Sequence, residues 1–247
     1  MMLLALVLAA TPLELAPVTS NALDEPRAGR AMVVISAENI SYTTMKDSTP
    51  KQLAALANFK AASIPWSKLE TALPEKSDER FFSSAIDGWA QLHLDRRTPM
   101  SLVLELYASV MRVESCVALV VKTPTAERAI DIFPTAEKTE DVIVKVGAKL
   151  EIVGASQNPI KVAATASALQ KALMAFNLSV GKKRAQETWS LGGWACMDAK
   201  GVKLPAESCW HPRVLLVVDP KQKWGDFAPL LAVAFEEVRD VQLANLN

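Results

Sequence analysis

The chain has 247 residues, of which 50% are hydrophobic, and its 27 basic side chains balance its 27 acidic ones. This composition allows a sizeable core and excludes a globally disordered chain. A formal net charge of zero also argues against a dedicated nucleic-acid binder, which needs a basic face to displace counterions from phosphates. The length permits one large domain or two of about a hundred residues each.

The N-terminus opens with an apolar run that ends at Ala10. The run is about half as long as the roughly twenty apolar residues of a membrane-spanning helix, so we expect no direct membrane span. Its length suits the apolar region of a secretory signal peptide over residues 1–22, with Ser20-Asn21-Ala22 as the cleavage site, although the segment contains no basic side chain. Export would place the protein in the periplasm or outside the cell. The alternative is that the run begins a strand or helix of the fold.

Two stretches of the chain repeat one order of elements without a gap. Residues 91–120 and 215–244 each predict an apolar strand, an Asp, a polar turn, an amphipathic helix and a second apolar strand. Asp95 and Asp219 are in register, and Asp favours such turns by accepting hydrogen bonds from nearby backbone amides. Each helix has one apolar face at helical spacing, made of Met100, Val103, Leu106, Tyr107, Val110 and Met111 in the first copy and of Trp224, Phe227, Leu230, Leu231, Ala234 and Phe235 in the second.

Local signals support these elements. Thr98 can cap the helix of the first copy, and Pro99 suits its first turn. The runs 117–121 and 214–218 are nearly all apolar, which is typical of strands covered on both faces of a sheet.

The front halves of the two copies also correspond. Residues 32–44 and 142–154 each predict strand, short turn and strand, before helices that end at Leu73 and Leu173. The sequence therefore predicts an α+β protein of two tandem β-(β)-α-β-α-β domains, each a mixed sheet with helices on one face. We place the domains at 31–125 and 140–247. Chance likeness between two similar units is the alternative to duplication.

The second domain carries a long loop at 186–212 that contains Trp189, Trp194 and Trp210. An exposed aromatic loop on a rigid scaffold can bind a peptide, a glycan or a protein partner. The alternative is that these side chains fold back over a sheet edge or the seam between the domains.

The same loop contains Cys196 and Cys209, which bracket a polar stretch. In an exported chain they can form a disulfide, and two free thiols are the alternative. Only His211 stands nearby and the spacing fits no zinc pattern, so we predict no metal site.

We find no catalytic signature and predict no catalytic or cofactor-binding residues. Of the two histidines, His93 is the better placed, since it lies two residues before Asp95 on the same face of a strand. A partly buried strand histidine beside a turn aspartate explains that pair without catalysis. The motifs of phosphate-binding loops and metalloproteases are absent from the sequence. The basic cluster at 182–184 suits a solvated helix end, with wall or lipid binding as the alternative.

The repeated unit resembles the periplasmic domain of the ExbD/TolR family, the accessory subunits of proton-driven inner-membrane motors. The resemblance rests on residues 217–244, where a strand ends in Asp219 and a helix leads to the last strand, and on the hairpin and helix of residues 146–173. It implies dimerisation and, in some members, binding to the cell wall or to partner proteins. Two covalent copies would mimic that dimer. The family's transmembrane helix and its proton-path Asp have no counterpart in this sequence, so no proton-path residue is assigned.

The sequence thus predicts a non-catalytic binding or scaffold protein of the cell envelope, without a cofactor. The expected partners are envelope proteins, among them ExbD/TolR-like or motor subunits, or the cell wall. Two alternatives stay open, namely an accessory component of a proton-driven transport motor and an enzyme of unrecognised type.

Overall fold

A computed structural model describes residues 12–20, 23–26, 31–73, 89–113, 116–132, 142–154, 158–175, 213–238 and 240–245. The first sheet contains β1 (Ala31–Ile35), β2 (Asn39–Thr44), β3 (Asp47–Ala55), β4 (Trp89–Leu94), β5 (Cys116–Lys122) and β6 (Glu127–Ile132), with helices α1 (Trp66–Ala72) and α2 (Met100–Met111). The second contains β7 (Val142–Val146), β8 (Lys149–Gly154), β9 (Ile160–Ala163), β10 (Arg213–Val218) and β11 (Asp240–Asn245), with helix α3 over residues 166–175 and α4 (Trp224–Val238). The predicted α+β class, with two mixed sheets and helices packed on them, is confirmed.

The two sheets share one strand order over five strands, and the first sheet adds β6 at its end. The first runs β3-β2-β1-β4-β5-β6, and the second runs β9-β8-β7-β10-β11. In the first sheet, β1, β2 and β3 pair antiparallel, and β4 and β5 run parallel to β1. In the second sheet, β7, β8 and β9 pair antiparallel, and β10 and β11 run parallel to β7. A duplication requires this shared order, and different orders would have excluded it.

Three strands add to the predicted unit. β3 and β9 turn each predicted hairpin into a three-stranded meander. β3 is mostly exposed and contains Pro50, and β9 has only four residues, so neither shows an apolar alternation. β6 pairs antiparallel with β5 and extends the first sheet beyond residue 125.

The two central strands that looked alike in sequence differ in burial. Residues 117–121 of β5 have no accessible surface, as their apolar run predicts. In β10, Val214, Leu216 and Val218 are buried, whereas the two residues between them are partly exposed. The apolar run at 214–218 therefore predicts more burial than β10 has, since only one face of this strand is fully covered.

The helices bury the faces that their spacing predicts. All six predicted residues of α4 are buried. In α2, Met100, Val103, Leu106 and Val110 are buried, and Tyr107 and Met111 are partly exposed. One continuous cluster of buried apolar residues draws on both sheets, so the two units share a core.

The two units meet through the starts of α2 and α4, in a reciprocal arrangement. Four backbone hydrogen bonds cross this seam in two matching pairs. In the first pair, Met100 N–H donates to the Gln222 carbonyl and Trp224 N–H donates to the Thr98 carbonyl, both at 2.8 Å. In the second pair, Ser101 N–H donates to the Pro220 carbonyl at 2.9 Å and Gly225 N–H donates to the Arg96 carbonyl at 2.7 Å. When the two units are aligned with Asp95 on Asp219, the donor and acceptor of one bond in each pair fall on the donor and acceptor of the other. Pro99 and Lys223, which correspond to each other, also bridge to each other. The units are therefore related by a local two-fold axis at this seam.

The seam satisfies backbone groups that the helices leave unpaired. The first N–H groups of a helix have no acceptor within the helix. The N-cap of α2 is Pro99, without a side-chain cap hydrogen bond, so the prediction that Thr98 caps this helix is wrong. The carbonyls of the other unit's turn accept these hydrogen bonds instead.

Residues 12–20, which we call the N-terminal strap, run along the ends of β4 and β5. Leu15 bridges to Asp95 and Pro17 to Lys122. Lys122 N–H donates to the Ala16 carbonyl, and Val18 N–H donates to the Lys122 carbonyl, both at 2.9 Å. The predicted signal peptide at 1–22 includes this segment, and cleavage after residue 22 would remove these bonds.

The N-terminal strap also contacts the second unit. Its burial alternates, with Ala16, Val18 and Ser20 buried and Pro17 and Thr19 exposed. The Ser20 hydroxyl donates a hydrogen bond to Glu236 of α4. The strap therefore spans the two units from the side of the first sheet.

Gly225 permits the close approach of the two turns. A Cβ at this position would lie 2.8 Å from the carbonyl oxygen of Arg96 and 2.9 Å from its Cβ. Since these neighbours belong to the backbone and to the first side-chain atom, they cannot swing away. We expect Gly225→Ala to lower the free energy of unfolding by about 2–4 kcal/mol, because the seam itself must shift. Urea denaturation of the full chain measures this.

Gly147→Ala is the matched control for this substitution. The nearest atom to a Cβ at Gly147 is the Lys149 carbonyl oxygen, at 3.8 Å, which is ordinary contact. We expect a change within about 0.5 kcal/mol. Equal losses for the two variants would contradict the assignment of Gly225 to the seam.

Candidate functional site

The carboxyl ends of β4 and β10 lie at the seam. In open α/β sheets, the crevice outside these strand ends is the usual place for a small ligand. In this protein the turn after β4 and the turn after β10 contact each other there. The N-terminal strap lies beside the turn after β4, where Arg96 N–H donates to the Glu14 carbonyl at 2.7 Å.

Asp95 and Asp219 make the same turn in the two units. The Asp95 carboxylate accepts from Arg97 N–H and the Asp219 carboxylate from Lys221 N–H, both at 2.9 Å. A second hydrogen bond closes each turn. Thr98 N–H donates to the Asp95 carbonyl at 2.9 Å, and Gln222 N–H donates to the Asp219 carbonyl at 3.0 Å. These turns hold the carbonyls that accept the seam hydrogen bonds.

The two aspartates differ in their surroundings. Asp219 is partly exposed, whereas the side chain of Asp95 is 1% exposed. Arg97 forms a bidentate pair with Asp95, with Nε 2.8 Å from Oδ1 and Nη2 2.7 Å from Oδ2. Glu14 N–H from the N-terminal strap also donates to Oδ2, at 3.3 Å. The Arg97 guanidinium lies 5.9 Å from the centre of the Phe59 ring.

These contacts set the ionisation of Asp95. Burial of the carboxyl group by itself raises its pKa. Hydrogen bonds from the side chain and backbone of Arg97 and from the Glu14 backbone, with the charge of Arg97, lower it by more, so the pKa of Asp95 lies below its ordinary value of 3.8. Both carboxylate oxygens have donors, which suits a structural anchor more than an acid or a base.

We expect Asp95→Asn to cost about 2 kcal/mol or more near neutral pH, because a charged acceptor with several donors is lost. Asp219 makes a similar turn but is partly exposed, so we expect Asp219→Asn to cost less than about 1 kcal/mol. The depressed pKa of Asp95 means that its contribution is complete above the ordinary value of 3.8 and is lost as pH falls below it. Urea denaturation of both variants and the parent chain across pH measures these free energies of unfolding. A difference between the parent and Asp95→Asn that does not become smaller in acid would contradict this role of Asp95.

His93 does not form a catalytic pair with Asp95. Its Nε2 lies 3.2 Å from Gln91 Oε1 on the same strand, and the Asp95 carboxylate is held by Arg97. Burial of the ring lowers the pKa of His93 below its ordinary value of 6.5, by more than the charge of Glu127 raises it. His93 thus makes a local contact within β4.

Among the residues that the structure describes, no group of three or more His, Cys, Asp or Glu side chains is arranged to hold a metal ion. None of the helices in these ranges combines the length and the hydropathy that a membrane span requires.

The loop predictions lie outside the described residues. They concern the candidate binding tryptophans, the candidate disulfide and the basic cluster, that is, Trp189, Trp194, Trp210, Cys196, Cys209 and residues 182–184. Each of these stays a prediction.

The structure adds a groove that the sequence analysis missed, at the outer edge of the second sheet. This edge groove lies between β9 and α3 and has a volume of about 440 Å³. Its lining is apolar apart from Lys171, and consists of Ile152, Ile160 and Val162 from the strands with Ala168, Lys171, Ala172 and Ala175 from α3. Ile160 is 44% exposed, and Met174 on the same helix is 50% exposed. The signal in the sequence was the pair of small residues at helical spacing, Ala168 and Ala172.

Comparison of the chain with models of protein families, with curated proteins and with solved structures finds no match in any of the three. Any statement on function therefore rests on the sequence and the geometry of this chain. That geometry offers a seam closed by backbone hydrogen bonds, an open cleft beside the N-terminal strap that Glu14, Arg96 and Lys122 line, and an open apolar groove at a sheet edge.

Proposed function

We propose that this chain is a non-catalytic binding or scaffold protein of the cell envelope, built from tandem ExbD/TolR-like domains. The observation that carries the proposal is the reciprocal seam between the starts of α2 and α4. ExbD/TolR-like domains are expected to dimerise, and here two copies of one fold pair about a local two-fold axis within one chain. Such a covalent pseudo-dimer is a platform with outward-facing sheet edges.

The seam also supports a role other than catalysis. Helix N-termini beside strand ends are the places where α/β proteins bind phosphates and other anions. The first N–H groups of α2 and α4 already donate to carbonyls of the opposite turn, at 2.7–2.9 Å. An anionic substrate at either helix start would have to displace these bonds and open the shared core.

We assign binding to the sheet edges. Edge strands bind partners by backbone pairing, as in other scaffold and adaptor domains. An accessory role in a motor complex would use the same edges and would differ only in the identity of the partner.

Affinity purification of the full chain from gently solubilised envelopes of its native host tests the proposal. We expect the parent chain and Gly147→Ala to retain the same envelope proteins or wall fragments, and Gly225→Ala to retain less, because its seam is distorted. Recovery of a motor subunit would assign the chain to that complex. Turnover of a small substrate by the purified chain, or no envelope component retained by the parent, would contradict the proposal.

A further inference from the structure

We propose that the edge groove binds an extended, apolar segment of a partner protein that adds to β9 as a further strand and carries an acidic group toward Lys171. The inference deepens the proposed function, on which it rests, by giving the chemistry of the partner. It concerns the second unit alone, so it also assigns different tasks to the two copies.

β9 is the last strand in the order of the second sheet. It pairs with β8 on one side, where Ile160 lies opposite Ile152 and Val162 opposite Leu150. On its other side, no strand among the described residues pairs with it. An edge strand presents backbone N–H and carbonyl groups that can pair with an added strand.

The edge groove gives an added strand a place for its side chains. Ile160 and Val162 alternate along β9, and the side chains of a strand at alternate positions lie on one face. On the opposite wall, Ala168 and Ala172 lie one helical turn apart and leave room because they are small. The volume of about 440 Å³ falls within the range of known ligand sites. Apolar side chains at alternate positions of the added strand would fill it.

The first unit provides an internal comparison, because the strand registers identify equivalent positions. Ile35 pairs with Ile40 in the first meander, and Val146 pairs with Leu150 in the second. Two residues further along, Tyr42 is therefore the counterpart of Ile152. The partners of these two residues on the edge strands are Lys51 and Ile160, respectively.

The equivalent positions of the first unit are closed to such a partner. The first unit has Tyr42 and Lys51 where the second has Ile152 and Ile160. With Leu69 aligned with Leu169, it also has Lys68 where the second unit has Ala168. β3 also contains Pro50, which cannot donate to an added strand. β9 has no proline within its four residues. Among the described residues, the second unit thus carries apolar residues at this edge where the first carries polar ones.

The charge at the edge groove favours an acidic partner. Lys171 is the charged residue that lines the groove, and no acidic residue among those described lines it. Lys161 of β9 lies on the other face of the sheet, opposite Glu151 of β8. A second copy of the chain would bring the same Lys171 and no opposite charge from its own groove. The occupant is therefore a different protein with an Asp, a Glu or a terminal carboxylate in its docking segment.

Selection of displayed random peptides on the full chain, followed by fluorescence-polarisation titration of the enriched peptides, tests the inference. We expect enriched peptides with apolar residues at alternate positions and an acidic residue. Ile160→Lys, which gives β9 the residue type of β3, should weaken binding by about tenfold or more. Met45→Lys is the matched control, since Met45 is also an exposed apolar residue, at 67%, but lies on the first unit. It should leave binding unchanged.

Lys171→Glu should weaken the binding of the acidic peptides and should still bind analogues in which lysine replaces the acidic residue. A proline in the centre of a peptide should abolish strand pairing and therefore binding. Equal binding to the parent and to Ile160→Lys, no enriched peptide, or enrichment without alternation or acid would overturn the inference. If Ile160→Lys still retains the envelope partner of the parent chain, the edge groove is not its site, although the proposed function stands. If the peptides bind but the parent retains no envelope component, the proposed function fails and the peptide site remains.

Discussion

The backbone hydrogen bonds between the starts of α2 and α4 are the interaction on which the rest of this structure depends. Each helix begins with N–H groups that need acceptors, and each acceptor is a turn carbonyl of the other unit. Asp95 and Asp219 fix these turns, and Gly225 allows their close approach. Because the shared apolar core lies against the same helices, separation of the units would expose backbone groups and apolar side chains together.

The covalent link between the copies allows them to differ. In a homodimer any change occurs twice, whereas in this chain each unit carries its own. The first unit has the ion pair between the buried Asp95 and the partly exposed Arg97, and it has the N-terminal strap; both lie close to the seam. The second has the edge groove, remote from the seam in the order of its sheet. In our proposal, the first unit anchors the pseudo-dimer and the second presents the binding surface.

Much of the fold follows from local patterns in the sequence. The apolar face of α4 and the Asp turns depend on spacing and turn chemistry, so they are visible without a structure. β3 and β9 were missed because an exposed edge strand needs no apolar alternation. The cap at Thr98 was wrong because a tertiary contact provides the acceptors. The edge groove depends on a strand and a helix that meet only in the fold, and the spacing of Ala168 and Ala172 marks only its helical wall.

Amide hydrogen exchange, followed by NMR on the full chain, tests the seam most directly. The informative amides are those of Met100, Ser101, Trp224 and Gly225, which donate across it. The account predicts that all four are strongly protected and exchange together, through one opening of the two units. Fast exchange at these four positions, at the rate of exposed turn amides such as that of Gly147, would show that the units do not pair in this way and would contradict the account.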